Sequence, residues 1–298
     1  MAIELSNLTF TEQDDIVPVS GVEEIVNTGI ANTLAGNDRI TGTGGTLSSI
    51  YSSIYNSGTL NTSDGNDVII GVSNTQGNFY YGHGIFNRGI INTGDGDDKI
   101  TGSGLASGID VSYEGILDTG NGSDTITGTS QASNGIFVST STVNTGDGND
   151  KITGTSIDYS GLCGININYE GILDTGNGSD TITGTGSSFG LQNYFIFNTS
   201  DGNDIITGNA NSTGFGIVNG GRMDTGAGDD EITGTNANGW GIYNSSGSTI
   251  DTGDGKDKIT GTGNNYGINN IGTINTGDGN DSIISVGNFT NRGNVFLG

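Results

Sequence analysis

The sequence predicts an all-β fold, a right-handed parallel β-helix (β-solenoid) of about ten to eleven coils with three short strands per coil. Two observations predict it. A short motif, clearest at residues 144–154, recurs ten times, and Ile, Leu and Val stand at fixed places around each copy. Units of this kind bury their apolar faces only by stacking on their neighbours. The repeat runs through all 298 residues, so we expect one elongated domain over 1–298.

The motif copies are separated by 24 to 31 residues, which sets the length of one coil. Within residues 241–261, the apolar residues Ile242, Ile250 and Ile259 each lie in a short segment of β-type residues. Alternation around each of them indicates an inward apolar side chain with outward polar neighbours. The segments are too short and too often interrupted by glycine for helices. Three strands per coil follow, with apolar ladders in the interior.

The ends of the chain depart from the regular repeat. We expect residues 1–38 to form a degenerate coil, because Asp15 lies 23 residues before Asp38, and residues 39–281 to form regular coils. Residues 282–298 are predicted to form an uncapped C-terminal coil. An open parallel edge invites strands from another chain. If that chain is a second copy, the contact does not close and a head-to-tail filament results.

The composition excludes several classes of function. The net charge is −25, from 33 acidic and 8 basic residues, which argues against nucleic-acid binding. No apolar run has the length of a membrane span, so we expect no membrane insertion. The start of the chain is unlike a Sec-type signal peptide, and we expect export without an N-terminal signal. Cys163 is the single cysteine and is predicted to be a small buried residue.

The last aspartate of each motif copy would lie above its counterpart in a stack of coils. Like charges about 5 Å apart repel by roughly 1 kcal/mol in water, and by more near a protein surface. Eight basic residues are too few to neutralise such a column, but bound cations could do so. Carboxylates and main-chain carbonyls are the ligands that calcium prefers. Glycines that adopt positive φ would let those carbonyls turn toward an ion.

The predicted calcium ligands fall into three sets. The closing aspartates are Asp38, Asp67, Asp98, Asp124, Asp150, Asp180, Asp204, Asp230, Asp257 and Asp281. The middle aspartates, three residues earlier, are Asp64, Asp95, Asp147, Asp201, Asp254 and Asp278. The motif glycines are Gly94, Gly96, Gly120, Gly122, Gly146, Gly148, Gly176, Gly178, Gly226, Gly228, Gly253, Gly255, Gly277 and Gly279.

Residues 145–153, Thr-Gly-Asp-Gly-Asn-Asp-Lys-Ile-Thr, resemble the calcium-binding nonapeptide of RTX proteins, G-G-x-G-x-D-x-U-x, at every place except the first glycine. The resemblance covers nearly the whole chain. It implies calcium held between turns by Asp150, by loop carbonyls at Gly146 and Gly148, and by their counterparts. It also implies type I secretion and an extracellular or cell-surface location, where calcium is abundant.

The chain departs from the RTX pattern in one respect that changes where calcium is expected. Each coil has one nonapeptide-like unit rather than a tandem pair, so we expect several calcium ions along one edge only. Four of the ten copies lack the middle aspartate, and in three of those four its place is taken by Asn121, Asn177 or Ala227. An alternative is a glycine-rich turn capped by Asx side chains, with no ion.

A further column stands two residues before the first motif glycine. Asparagines and aspartates alternate there, and they would form either an amide ladder, which we favour, or extra ion ligands. The residues are Asn61, Asn92, Asp118, Asn144, Asp174, Asn198, Asp224, Asp251 and Asn275.

Thr-Gly-Thr follows many of the motif copies, as at Thr153 and Thr155. On a strand both threonines would face outward, so stacking gives two threonine rows. These rows resemble those of ice-binding solenoids, so an ice-binding or adhesive solenoid is an alternative function. Simple strand preference of threonine is the other explanation.

An enzyme is the remaining alternative, since carbohydrate-active enzymes also use β-helices. We predict none, because no cluster of acid–base residues is visible in the sequence. His83 is expected to be a solvated residue of a bulged loop that includes Tyr80 and Tyr81. The function predicted first is therefore an extracellular calcium-binding structural solenoid that assembles head to tail.

Overall fold

The computed structural model describes residues 2–18, 23–44, 52–73, 82–157 and 162–298. It is a parallel β-solenoid, as predicted. Each strand pairs in parallel with its counterparts in the coils before and after it. Within the described residues, the strands form one sheet of 21 strands and one of 11. The only helix in that part of the chain is a short 3-10 turn at Leu5–Asn7.

Each regular coil has three strands, and the first follows the motif directly. The first strands are Ile16–Val17, Arg39–Gly44, Val68–Ser73, Lys99–Gly104, Thr125–Ser130, Lys151–Ser156, Thr181–Gly186, Ile205–Ala210 and Glu231–Asn236. The second strands are Ala2–Glu4, Glu24–Asn27, Ser52–Asn56, His83–Asn87, Ile109–Ser112, Ile136–Ser139, Cys163–Asn168, Phe189–Asn193, Phe215–Asn219 and Trp240–Asn244.

In the last two coils the first and second strands are continuous, at Lys258–Asn270 and Ser282–Asn291. The third strands precede the motif and form the smaller sheet. They are Ile30–Asn32, Thr59–Asn61, Ile90–Asn92, Ile116–Asp118, Thr142–Asn144, Ile172–Asp174, Ile196–Asn198, Arg222–Asp224, Thr249–Asp251, Thr273–Asn275 and Asn294–Phe296.

Three apolar ladders fill the interior, one from each strand. Ile152, for example, pairs with Ile126 and Ile182 and is 1% exposed. Leu191, Phe197 and Met223 continue two of the ladders where the isoleucine pattern lapses, and all three are fully buried. The isoleucine pattern of the sequence did not identify these three residues, because any apolar side chain of suitable size can continue a ladder.

Glycine lets the first and second strands of one coil approach each other closely. A Cβ atom placed on Gly154 would overlap the carbonyl oxygen of Gly164 on the facing strand. The same relation joins Gly128 with Gly135, and Gly208 with Gly216. Facing glycines on the first and second strands therefore form two ladders, and the main chains of the two strands come closest there.

A buried asparagine ladder lines the corner between the second and third strands. Asn219 donates from Nδ2 to Oδ1 of Asn244 at 2.9 Å and to the carbonyl oxygen of Thr249 at 2.8 Å. Three middle coils replace the asparagine with Val111, Val138 or Ile167. A buried amide is stable here because its hydrogen bonds are satisfied along the stack.

The N-terminal coil and the single cysteine both have defined places in the stack. Asp15 lies in register with Asp38, since Ile16 pairs with Arg39, so the degenerate N-terminal motif joins the stack. Cys163 is buried, at 3% exposure. No helix among the described residues has the length and apolar character needed to cross a membrane.

The glycine ladders generate a first prediction. Gly154→Ala places a methyl group against main chain that cannot move away, and overpacking of this kind costs about 1–3 kcal/mol. Thr153→Ala alters the neighbouring outward side chain and should change stability by less than about 0.5 kcal/mol, as most surface substitutions do. Urea or thermal unfolding measures both, and equal stability of the two variants would contradict the close approach.

Candidate metal centre

The motif forms the turn from the third strand of one coil to the first strand of the next. Its first glycine position is left-handed, with φ of 72° at Gly146. Copies without glycine there keep this conformation, with φ of 67° at Leu34 and 64° at Ser63. A Cβ at Gly146 would overlap the carbonyl oxygen of Gly120 in the preceding coil. The motif glycines thus bring successive turns into close main-chain contact.

The closing aspartates lie inside this turn, in one continuous ladder. Oδ1 of Asp150 accepts the main-chain N–H of Asp124 at 2.8 Å, and the N–H of Asp150 is donated to Oδ1 of Asp180 at 2.8 Å. The ladder runs without a break from the Asp15 N–H to Oδ1 of Asp281. Nine of the ten closing aspartates are no more than 2% exposed, and Asp281 is half-buried.

Burial has a direct electrostatic consequence for these carboxyl groups. Loss of solvation disfavours the charged form and raises the pKa of each buried carboxyl group. Burial raises the pKa to about 7 at Asp67, Asp124, Asp180 and Asp230. It raises the pKa to about 6 at Asp98, Asp150 and Asp204. Burial also raises the pKa of Asp38 and Asp257.

The second carboxylate oxygen, Oδ2, is satisfied in some copies only. In four copies it accepts the hydroxyl of the threonine five residues earlier, at 2.7 Å for Thr252 and Asp257. In six copies Oδ2 is buried and has no hydrogen-bond partner among the described residues. These six are Asp38, Asp67, Asp98, Asp150, Asp204 and Asp281.

The middle aspartates lie on the outside of the same turn. All six are exposed. Asn121 donates from Nδ2 to Oδ1 of Asp95 at 2.9 Å, and Asn177 does the same to Asp147 at 2.8 Å. The predicted ligands therefore divide into a buried column and an exposed column. Within the described residues, no three Asp, Glu, His or Cys side chains gather into one cluster.

The preceding Asx column forms hydrogen-bonded pairs, which favours the ladder interpretation over extra ion ligands. Asn144 donates from Nδ2 to Oδ1 of Asp118 at 2.9 Å, and Asn198 donates to Asp174 at 2.9 Å. The same side chains accept main-chain N–H groups two residues on, as between Asp118 and Gly120 at 3.3 Å. Residues such as Asp118 and Asn144 thus cap their own turn and link it to a neighbour.

The buried column has the donor chemistry of a calcium site. Its oxygen atoms come from carboxylates and main-chain carbonyls, both of them hard ligands. Calcium binds oxygen ligands at about 2.3–2.6 Å in flexible geometry, whereas magnesium needs about 2.0–2.1 Å and near-ideal octahedral geometry. Oxygen ligands fixed by a stack of turns would therefore suit calcium better than magnesium. The unpartnered Oδ2 atoms, with the motif carbonyls, would hold such ions.

The expectation for His83 was wrong. His83 begins a second strand, and its side chain is only 15% exposed. Its Nδ1 lies 3.5 Å from Oδ2 of Asp110, and its ring stacks on Phe86 at 4.9 Å between centroids. Burial lowers the pKa of His83 and raises the pKa of Asp110. The following Gly84–Ile85 pair, typical of second strands here, is the signal that places His83 on a strand. Tyr80 and Tyr81 lie outside the described residues.

No protein-family model and no curated protein sequence match the chain. A solved structure to which it is similar is that of a hyperactive, Ca²⁺-dependent, β-helical antifreeze protein from an Antarctic bacterium. The sequences are 17% identical, the match covers 99% of this chain and 79% of that chain, and the TM-score is 0.46. A similarity of this size transfers no property to the chain, so its fold is taken from its own strand pairing.

The raised pKa values predict how stability depends on pH without calcium. An aspartate whose folded pKa lies above its unfolded value of 3.8 stabilises the fold fully below that value. That contribution is lost as the pH rises through the folded pKa of about 6 to 7. In calcium-free buffer we therefore expect the thermal midpoint to fall between about pH 4 and pH 7, and then to level off.

Single variants test the origin of this pH dependence. Asp150→Asn removes one buried carboxyl group and should reduce the slope, since the amide oxygen keeps the bond from the Asp124 N–H. Asp147→Asn alters an exposed carboxylate of the same copy and is the matched control. An equal reduction in both variants, measured by calorimetry across the pH range, would contradict the assignment to the buried column.

Proposed function

We propose that this protein is a structural β-solenoid whose aspartate edge binds several calcium ions, and that the ions stabilise the stack of coils. The single observation that supports this most strongly is the buried Oδ2 column. Leaving a buried polar group without a partner costs about 1–3 kcal/mol, and more for a charged group. Calcium between successive coils would neutralise these carboxylates where the 8 basic residues of the chain are too few.

An extracellular or cell-surface location belongs to the same proposal. Calcium sites in extracellular modules have dissociation constants of about 10⁻⁴ to 10⁻³ M, which suits a place where calcium is abundant. The net charge of −25 would also be partly neutralised there by divalent ions. Export by the type I route, with folding after secretion, follows from the RTX resemblance and remains part of the proposal.

Calcium removal tests the proposal. Each site held at 100 times its dissociation constant adds about 2.7 kcal/mol of stability. Several sites should therefore raise the thermal midpoint by on the order of 10 °C or more. We expect circular dichroism melts in calcium to lie well above those in chelator. Magnesium should substitute poorly because its bonds are shorter. Identical melts with calcium and with chelator would reject the proposal.

Ice binding is a second candidate function, favoured by the register of the threonine rows. Thr127, Thr153 and Thr183 pair directly from coil to coil, and so do Thr129, Thr155 and Thr185. All six are half-exposed. The two rows are interrupted by Ile70, Val72, Ser103, Asn209, Ile284 and Val286. The uninterrupted part is a regular surface of alternating hydroxyl and methyl groups.

A freezing assay tests this second candidate. If the rows bind ice, the protein in calcium will show thermal hysteresis and shape ice crystals. Thr153→Leu and Thr155→Leu, which place bulky groups in the middle of both rows, will then abolish the effect. Substitution of Thr142, a half-exposed residue on a third strand, is the control. Absence of hysteresis in the calcium-loaded wild type would reject ice binding without affecting the calcium proposal.

Head-to-tail assembly stays a prediction from the sequence, and the calcium proposal does not depend on it. The last described coil presents Ile283, Phe289 and Val295 at the ends of the three interior ladders. The absence of enzymatic activity likewise stays a prediction.

A further inference from the structure

The aspartate turns of the edge are of two kinds. In a capped turn, the threonine five residues before the closing aspartate donates its hydroxyl to Oδ2. In an open turn, Oδ2 has no hydrogen-bond partner among the described residues. The capped turns end at Asp124, Asp180, Asp230 and Asp257. The open turns end at Asp38, Asp67, Asp98, Asp150, Asp204 and Asp281.

The difference lies in whether the threonine hydroxyl also reaches Oδ2, since in the capped turn of Asp230 the hydroxyl of Thr225 contacts the next-coil carbonyl oxygen of Thr252 at 3.4 Å as well. In the open turn of Asp150, Thr145 donates its hydroxyl to the carbonyl oxygen of Thr175 in the next coil, at 3.4 Å. The hydroxyl remains near enough to Asp150 to lower the pKa of that carboxyl group, although burial has the larger and opposite effect. In the capped turn of Asp180, Thr175 bonds to the carboxylate itself.

A sequence difference separates the same two groups without exception. The residue six positions before the closing aspartate is asparagine in every open turn and aspartate in every capped turn. The asparagines are Asn32, Asn61, Asn92, Asn144, Asn198 and Asn275, and the aspartates are Asp118, Asp174, Asp224 and Asp251. The two kinds of turn are therefore distinguished both by sequence and by hydrogen bonding.

Open and capped turns alternate along the middle of the solenoid. From Asp98 to Asp230, each open turn is followed by a capped one. Two of the capped turns belong to segments of identical sequence, residues 113–129 and 169–185, which lie two coils apart. Between Asp98 and Asp230 the repeating unit of this edge is thus two coils, although the strands and ladders repeat with every coil.

We propose that calcium occupies only the open turns, so that the fully loaded chain holds six ions rather than ten. This inference rests on the proposed function, that the edge binds calcium. In a capped turn the threonine hydroxyl already occupies the free position on Oδ2, and an ion would have to displace it. In an open turn Oδ2 is buried and makes no hydrogen bond, so a hard cation could bind it without displacing one.

The stoichiometry of calcium binding tests the inference on the full chain. Native mass spectrometry after equilibration with calcium, with equilibrium dialysis as a second readout, should give six ions per chain. A count of nine or ten would overturn selective occupancy and leave the proposed function standing. A count of zero would reject the proposed function itself, so the two failures are distinguishable.

A matched pair of variants assigns ions to turns. Asp150→Asn changes an open turn and Asp180→Asn changes a capped one, and the amide oxygen can keep the main-chain hydrogen bond in both. We expect five ions in the first variant and six in the second. Loss of an ion from both, with folding verified by circular dichroism, would overturn the inference.

Removal of the capping hydroxyl should add a bound calcium ion, a result that misfolding could not produce. Thr175→Val opens the turn of Asp180 and should raise the count to seven. Thr145→Val makes the same change in an open turn and should leave the count at six. A folded Thr175→Val variant that still binds six ions would overturn the role assigned to the threonine.

Discussion

The rest of this structure depends on one repeated contact, the bond from a main-chain N–H to a buried aspartate carboxylate in the next coil. Oδ1 of each closing aspartate accepts that bond at 2.7 to 3.0 Å along the whole edge. Charge-assisted bonds of this kind are roughly twice as strong as neutral ones. They fix the position of each turn relative to the next, but they also place a column of carboxylates where solvent cannot reach. The same hydrogen bonds that keep successive turns in register therefore also bury charged groups, which is electrostatically unfavourable.

The other features of the coil follow from the need to keep this edge in register. Direct pairing of Ile126, Ile152 and Ile182 keeps the first strands aligned, and the glycine ladders hold the facing strands close. Differences in coil length fall largely between the first and second strands, as between Thr129 and Ile136 and between Thr155 and Ile165. The aspartate turn itself keeps one length, as from Asp118 to Thr125 and from Asn144 to Lys151.

The sequence was sufficient to predict the period, the three strands and the stacking of the closing aspartates. Those features repeat in every copy, so the ten copies support one another in the prediction. The sequence did not show that Asp147 points to solvent while Asp150 points inward, since both are aspartates of one glycine-rich turn. It also missed the strand position of His83. Side-chain direction in such a turn depends on φ at Gly146 and Gly148, which composition does not reveal. The sequence does contain the Asn/Asp difference that separates open from capped turns. Only the positions of the threonine hydroxyls show that this difference goes with a hydrogen bond to Oδ2.

If calcium binds at this edge, the buried carboxylate column should hold the ions and the exposed column should not. A crystal structure of the calcium-loaded chain, with anomalous scattering measured at a wavelength sensitive to calcium, distinguishes the two columns. We expect anomalous peaks inside the turns, beside Oδ2 of residues such as Asp98 and Asp150. Peaks confined to the exposed side chains of Asp95 and Asp147, or a well-ordered edge with no peak in saturating calcium, would contradict this expectation.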